Sequence, residues 1–101
     1  MKYSDLAKIL KVLSNSKRLK IVDLISTNEL CAHEINNHFK VKQPTLSYDM
    51  RLLKEIGLVL ERVEGRQRYY SLDKNKVNEF QKLIALLTSD QEHCECIKEG
   101  I

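Results

Sequence analysis

Residues 43–72 read QPTLSYDMRLLKEIGLVLERVEGRQRYYSL, and this stretch decides the fold. Its first half places Leu46, Met50, Leu53 and Ile56 at helical spacing, one apolar stripe on a helix over 43–57. Pro44 suits the first turn of that helix, where a missing N–H is not needed, and Gly57 stops it. The second half changes period. LVLERVEGRQRYYSL is rich in Val, Leu and Tyr, with Glu64-Gly65 at its centre. Glycine supplies the positive φ of a tight turn, so a β-hairpin is expected.

Upstream, Leu6, Ile9/Leu10 and Leu13 recur at helical spacing, and Ser14-Asn15-Ser16 offers N-cap oxygens to a second helix marked by Leu19, Val22 and Ile25. Thr27-Asn28 is a turn, Glu29-Leu30-Cys31 a very short strand, and Ala32–Phe39 a short third helix. After the hairpin, Val77, Phe80, Ile84 and Leu87 give a last helix fraying near Ser89-Asp90. The order is α-α-β-α-α-β-β-α. The chain is mainly α with a β-hairpin wing, which is the order of a winged helix-turn-helix. Residues 1–90 are expected to form that domain and 91–101 a cysteine-containing tail.

Composition narrows the function classes. The chain has 101 residues, 43% of them hydrophobic, enough for one modest core. It has no apolar run long enough to span a membrane, and MKYSDLAKIL has no secretory h-region. Three cysteines without an export signal predict free thiols in the cytoplasm. Charge is segregated: Lys40 to Tyr70 carries seven Lys/Arg against four Asp/Glu, whereas the residues from Thr88 on carry four acids and one lysine. No enzyme is expected. HEINNH is H-E-x-x-x-H, whose spacing spoils the geometry of a zinc protease helix, and no glycine-rich phosphate loop is present.

The helix face opposite the apolar stripe carries Thr45, Ser47, Tyr48 and Arg51, joined by Gln43 at the helix start. These side chains have the length and hydrogen-bonding groups to reach base edges in a major groove. Lys40, Lys42 and Lys54 surround them, and Arg62, Arg66 and Arg68 lie on the hairpin. These cations suit phosphates, which position a protein without reading sequence. Tyr70 and Leu72 are expected to fill core.

LKVLSNSKRLKIVDLI, ELCAHEI, VKQPTLSYDMRLLKEIGLV and ERVEGRQRYYSL, in this order over residues 6–73, resemble the ArsR/SmtB-type bacterial regulators. The resemblance implies a homodimeric repressor joined through its first and last helices. It implies binding to a double-stranded DNA operator with an inverted repeat, with no cofactor needed for that binding. It also implies release when an inducer, commonly a metal or metalloid ion, binds. The family's ELCVCDL metal motif reads ELCAHEI here. Cys31 matches the first ligand, and His33 replaces the second cysteine. The last helix, DKNKVNEFQKLIALL, has no histidine, so the zinc site that some members carry there is not expected.

The tail, QEHCECIKEGI, holds Cys94 and Cys96 beside His93. Cys31 with Cys94 and Cys96 makes a three-sulfur set suited to As(III), Sb(III) or lead. Adding His33 or His93 suits tetrahedral zinc or cadmium. Two alternatives stay open: the same thiols as a redox switch, and a winged helix that binds protein rather than DNA.

Overall fold

The computed structural model describes residues 2–39 and 44–89, the first two of the second stretch by backbone alone. Eight elements follow in the expected order: α1 (Tyr3–Leu13), α2 (Ser16–Leu24), β1 (Leu30–Cys31), α3 (Ala32–Asn37), α4 (Pro44–Glu55), β2 (Val59–Glu64), β3 (Gln67–Leu72) and α5 (Lys74–Leu87). The chain folds as a winged helix-turn-helix. Among the described residues no helix is long and apolar enough to cross a membrane.

Local chemistry sets most boundaries. Asn15 caps α2, its Oδ1 accepting from the amides of Lys17 (3.0 Å) and Arg18 (3.1 Å), a contact worth about 1 kcal/mol. The helix α4 buries Leu46, Met50 and Leu53, three residues along one face. Its end is set by Gly57 at φ +82°, a left-handed position that costs a side-chain-bearing residue about 1–2 kcal/mol. A Cβ there would also come 3.3 Å from Cε of Lys76. In the hairpin Gly65 has φ +64° and Arg66 does not take a positive φ. That combination matches a two-residue turn with glycine first.

The three strands are antiparallel in the order β1-β3-β2. Leu30 lies opposite Tyr70 and Cys31 opposite Tyr69. Arg62 lies opposite Tyr69 from the other side, and Glu61 opposite Tyr70. The short strand before α3 is thereby stitched to the base of the wing. The main core gathers Ile9, Ile21, Ile25, Ile35 and the α4 stripe against Leu58, Val59, Tyr70 and Leu72, so Tyr70 and Leu72 fill core as expected.

A second, smaller cluster joins α1 to α5. Leu6 and Leu83 are buried there, flanked by Tyr3, Phe80 and Ile84. This corrects the stripe read for the last helix, because Leu83 takes the buried place and Leu87 is 48% exposed. Elsewhere the corrections are of one or two residues: α3 ends at Asn37 rather than Phe39, and α4 ends at Glu55 rather than residue 57. Helix α5 is capped by Asp73, whose Oδ1 accepts from the Lys76 amide.

Candidate functional site

The outer face of α4 presents Ser47, Tyr48 and Arg51 to solvent. Arg51 and Arg18 hold their guanidinium groups 5.2 and 5.8 Å from the centre of the Tyr48 ring, within the range of cation–π attraction. The expected contacts Lys40, Lys42 and Gln43 and the Thr45 side chain lie outside the described residues. So do His93, Cys94 and Cys96.

Between Ser47 and Met50 sits a residue that periodicity did not single out. Asp49 is 5% exposed. Its Oδ1 accepts from Nε of Arg18 at 3.1 Å, and Nζ of Lys17 stands 3.2 Å from Oδ2, an ion pair off the axis of a hydrogen bond. Arg18 also donates from Nη1 to the carbonyl of Val12 at 3.2 Å. Helix α4 is thus locked to the start of α2 by a carboxylate and two cations. The available signal was an acid lodged in an apolar stripe, a placement that demands a partner.

Across from α4, Glu61 organises the base of the wing. It accepts from Nζ of Lys54 (2.6 Å), Nη1 of Arg68 (2.9 Å) and the Tyr70 hydroxyl (3.2 Å). A cleft of about 300 Å³ opens here, lined by Ser47, Arg51, Lys54, Glu61, Arg68 and Tyr70. Two of the expected phosphate contacts, Lys54 and Arg68, are held over this cleft. Arg66, at the hairpin tip, is exposed.

The hydrogen bond from Lys54, and then that from Arg68, hold the Glu61 carboxyl at about 2, against an ordinary value of 4.5. A depressed acid stabilises the fold above its unfolded value, and that stability is lost as pH falls through the folded value. The window is therefore pH 4.5 to about 2. Glu61→Gln is expected to be less stable than the parent at pH 6, by at most about 3 kcal/mol. The gap should close as pH drops to 2. Thermal midpoints of both proteins across that range check it; parallel curves would mean the carboxylate is solvated in solution.

Arg62 faces the other way. Its Nη2 and Nε donate to the two carboxylate oxygens of Glu29 at 2.8 and 3.2 Å, and Nη1 donates to Glu64 at 2.6 Å. The guanidinium also lies 4.5 Å from the Tyr69 ring centre. These carboxylates raise the arginine further above its already high range, and Arg62 in turn lowers Glu29.

Cys31 is a free, buried thiol at the N-cap of α3, with an extended backbone (φ −83°, ψ 163°). Its amide donates to Oε1 of Glu34 at 2.8 Å. That hydrogen bond, followed by the thiol beside the same carboxylate, lowers Glu34. His33 is exposed while Cys31 is buried. Among the described residues no three His, Cys, Asp or Glu side chains gather closely enough to hold an ion. Cys31 fits a soft ion as one donor, and the described part of the chain does not complete a site around it.

Residues 15–60 match the family described as bacterial regulatory protein, arsR family. An arsenical resistance operon repressor of Staphylococcus aureus is 37% identical over 99% of this chain and 98% of its own length. A homologue of the cadmium resistance transcriptional regulatory protein CadC, also from Staphylococcus aureus, is 40% identical over 74% of this chain and 63% of its own. The solution structure of a homodimeric winged helix-turn-helix DNA-binding domain from Mycobacterium bovis superposes with a TM-score of 0.69 at 28% identity. It covers 89% of this chain and 84% of that one. With its fold, its exposed polar helix face and a near full-length relative, this chain belongs to the arsR family of bacterial transcriptional regulators.

Proposed function

We propose that the chain is a dimeric repressor acting in the cytoplasm, bound to an inverted-repeat operator and released by a thiophilic ion. The observation that carries the effector half is the place of Cys31. It is a buried thiol at the junction of β1 and α3, paired across the sheet with the wing strand. An ion bound there acts on the segment that supports both DNA-reading elements. One thiolate is too few for As(III), Sb(III), lead, cadmium or zinc, so Cys94 and Cys96 supply further sulfurs, with His33 or His93 as an optional nitrogen. The arsenical and cadmium resistance relatives support this class of inducer.

In the DNA half, α4 enters the major groove with Gln43, Thr45, Ser47, Tyr48 and Arg51 toward base edges. Lys40, Lys42, Lys54, Arg66 and Arg68 meet phosphates. Dimerisation uses α1 and α5, where Leu10 and Leu87 remain 42% and 48% exposed beside the Leu6–Leu83 cluster. A homodimer then spans two half-sites about one helical turn apart.

The test is anisotropy of a labelled duplex taken from upstream of the chain's own coding region. The reduced protein is titrated separately with As(III), Cd(II), Pb(II) and Zn(II), with peroxide as a further arm. Release by an ion supports the reading. Release by peroxide alone, reversed by dithiothreitol, makes the thiols a redox switch; absence of salt-sensitive binding to any duplex favours a protein-binding module. The wing is tested in the same assay: Arg66→Ala should weaken binding to all duplexes and flatten the salt slope by about one. A loss confined to one base pair would make Arg66 a reader of sequence instead.

A further inference from the structure

Cys31, Tyr69 and Arg62 form one row across the three strands, each opposite the next. The outer strand β2 does not pair with β1, since β3 lies between them. Arg62 nevertheless reaches across β3 and over the Tyr69 ring to hold both oxygens of Glu29. Glu29 stands two residues before Cys31, and Glu64, the other partner of Arg62, is the last residue of β2 before the hairpin turn. One guanidinium therefore ties the backbone that leads into the thiol to the tip of the wing.

The electrostatics argue against a phosphate role for this arginine. Two carboxylates surround one cation, so the local charge is negative rather than positive. A planar fork that meets one carboxylate with two donors fixes direction as well as distance, which a lysine does not do.

We propose that Arg62 is a positioning residue that couples the Cys31 segment to the wing, through its clamp on Glu29 and Glu64, and that it does not contact DNA. The proposal rests on the reading of Cys31 as the effector ligand. A shift of the β1–α3 junction moves Glu29, Glu29 carries Arg62, and Arg62 carries the wing. Side chains of Arg62 and Glu29 are 49% and 36% exposed. Exposed pairs contribute little to stability, so variants at either position keep the fold.

The test compares Arg62→Ala, Arg62→Lys, Glu29→Ala and the double alanine variant in the full chain, by anisotropy with and without Cd(II) and As(III) as probes. The reading is the release factor, the ratio of DNA dissociation constants with and without ion. Each alanine variant should lower it by up to about fivefold, the most an exposed pair can transmit, and the double variant no further than either single, because the two residues form one link. Arg62→Lys should fall between the parent and Arg62→Ala. Binding without ion should stay within about threefold of the parent.

An ion-free readout accompanies it: alkylation of Cys31 by iodoacetamide in a Cys94→Ser/Cys96→Ser background. Cys31 is buried, so the rate follows how often its junction opens; if the clamp joins junction and wing, DNA should change that rate in the parent and change it less in Arg62→Ala. A general loss of affinity with a flatter salt slope in Arg62→Ala would make it a phosphate contact and overturn the proposal. An unchanged release factor in Arg62→Ala, with release lost in Cys31→Ser, overturns this coupling alone. Release retained in Cys31→Ser removes the effector reading and the coupling with it.

Discussion

Asp49→Ala is expected to destabilise the protein by about 3–5 kcal/mol, the cost of leaving a desolvated cation without its partner. A domain of this size has about 5–15 kcal/mol in total, so the variant sits close to unfolding. After the change Arg18 keeps the Val12 carbonyl and the Tyr48 ring, but no anion, for its largely buried guanidinium. The effect should fall on α4 first, because the Asp49 pair holds it to the start of α2 from its inner side. Two comparisons separate charge from packing. Asp49→Asn keeps the shape and one acceptor for Arg18, so it should lose less. Arg18→Met combined with Asp49→Leu removes both charges together and should recover much of the loss, since burying apolar groups in place of an ion pair is often neutral or stabilising. Urea unfolding at one fixed protein concentration measures all three, because association with a second copy shifts apparent stability. A loss below about 1 kcal/mol for Asp49→Ala would place this pair with ordinary solvated bridges.

The contrast between Asp49 and the α4 stripe shows what a sequence reveals of such a domain. Leu46, Met50 and Leu53 announce themselves because their partners in the pattern lie within two turns of one helix. Gly57 and Gly65 do so because a left-handed backbone has few occupants. Arg18, which pairs with Asp49, and Glu29, which pairs with Arg62, lie 31 and 33 residues away, and no local period encodes that distance. The same limit explains the exchange of Leu83 for Leu87. The run Leu83-Ile84-Ala85-Leu86-Leu87 offers apolar residues to more than one face, and only packing against Leu6 selects between them.

The candidate site divides along the same line. The polar face of α4 is the complement of its apolar stripe and was legible. The separation of hairpin cations into Arg68 over the cleft, Arg66 at the tip and Arg62 clamped on the opposite side was not. Strand alternation sends Arg62 away from Arg68, but only the fold puts Glu29 under it.

Cys31→Ser should leave operator binding within about twofold of the parent and reduce ion-driven release, normally of order 5- to 150-fold, to below about twofold. The substitution is well suited to separate function from folding. Serine differs from cysteine by one atom, and its hydroxyl is a poor ligand for the soft ions that thiolates bind. At an N-cap it is also the better residue, because its oxygen accepts a backbone amide more strongly than sulfur does. The variant should therefore fold at least as well as the parent, apart from the small cost of burying a hydroxyl. A lost response then reports ligation, not collapse. Truncation before His93 should give the same phenotype from the other side, since a set made of Cys31, Cys94 and Cys96 fails when either half is missing. If Cys31→Ser instead abolishes DNA binding without ion, the thiol is part of the packing that holds β1 to Tyr69 of the wing. If the truncated chain still releases DNA while Cys31→Ser does not, the remaining ligands come from residues before His93, and His33 becomes the first to test.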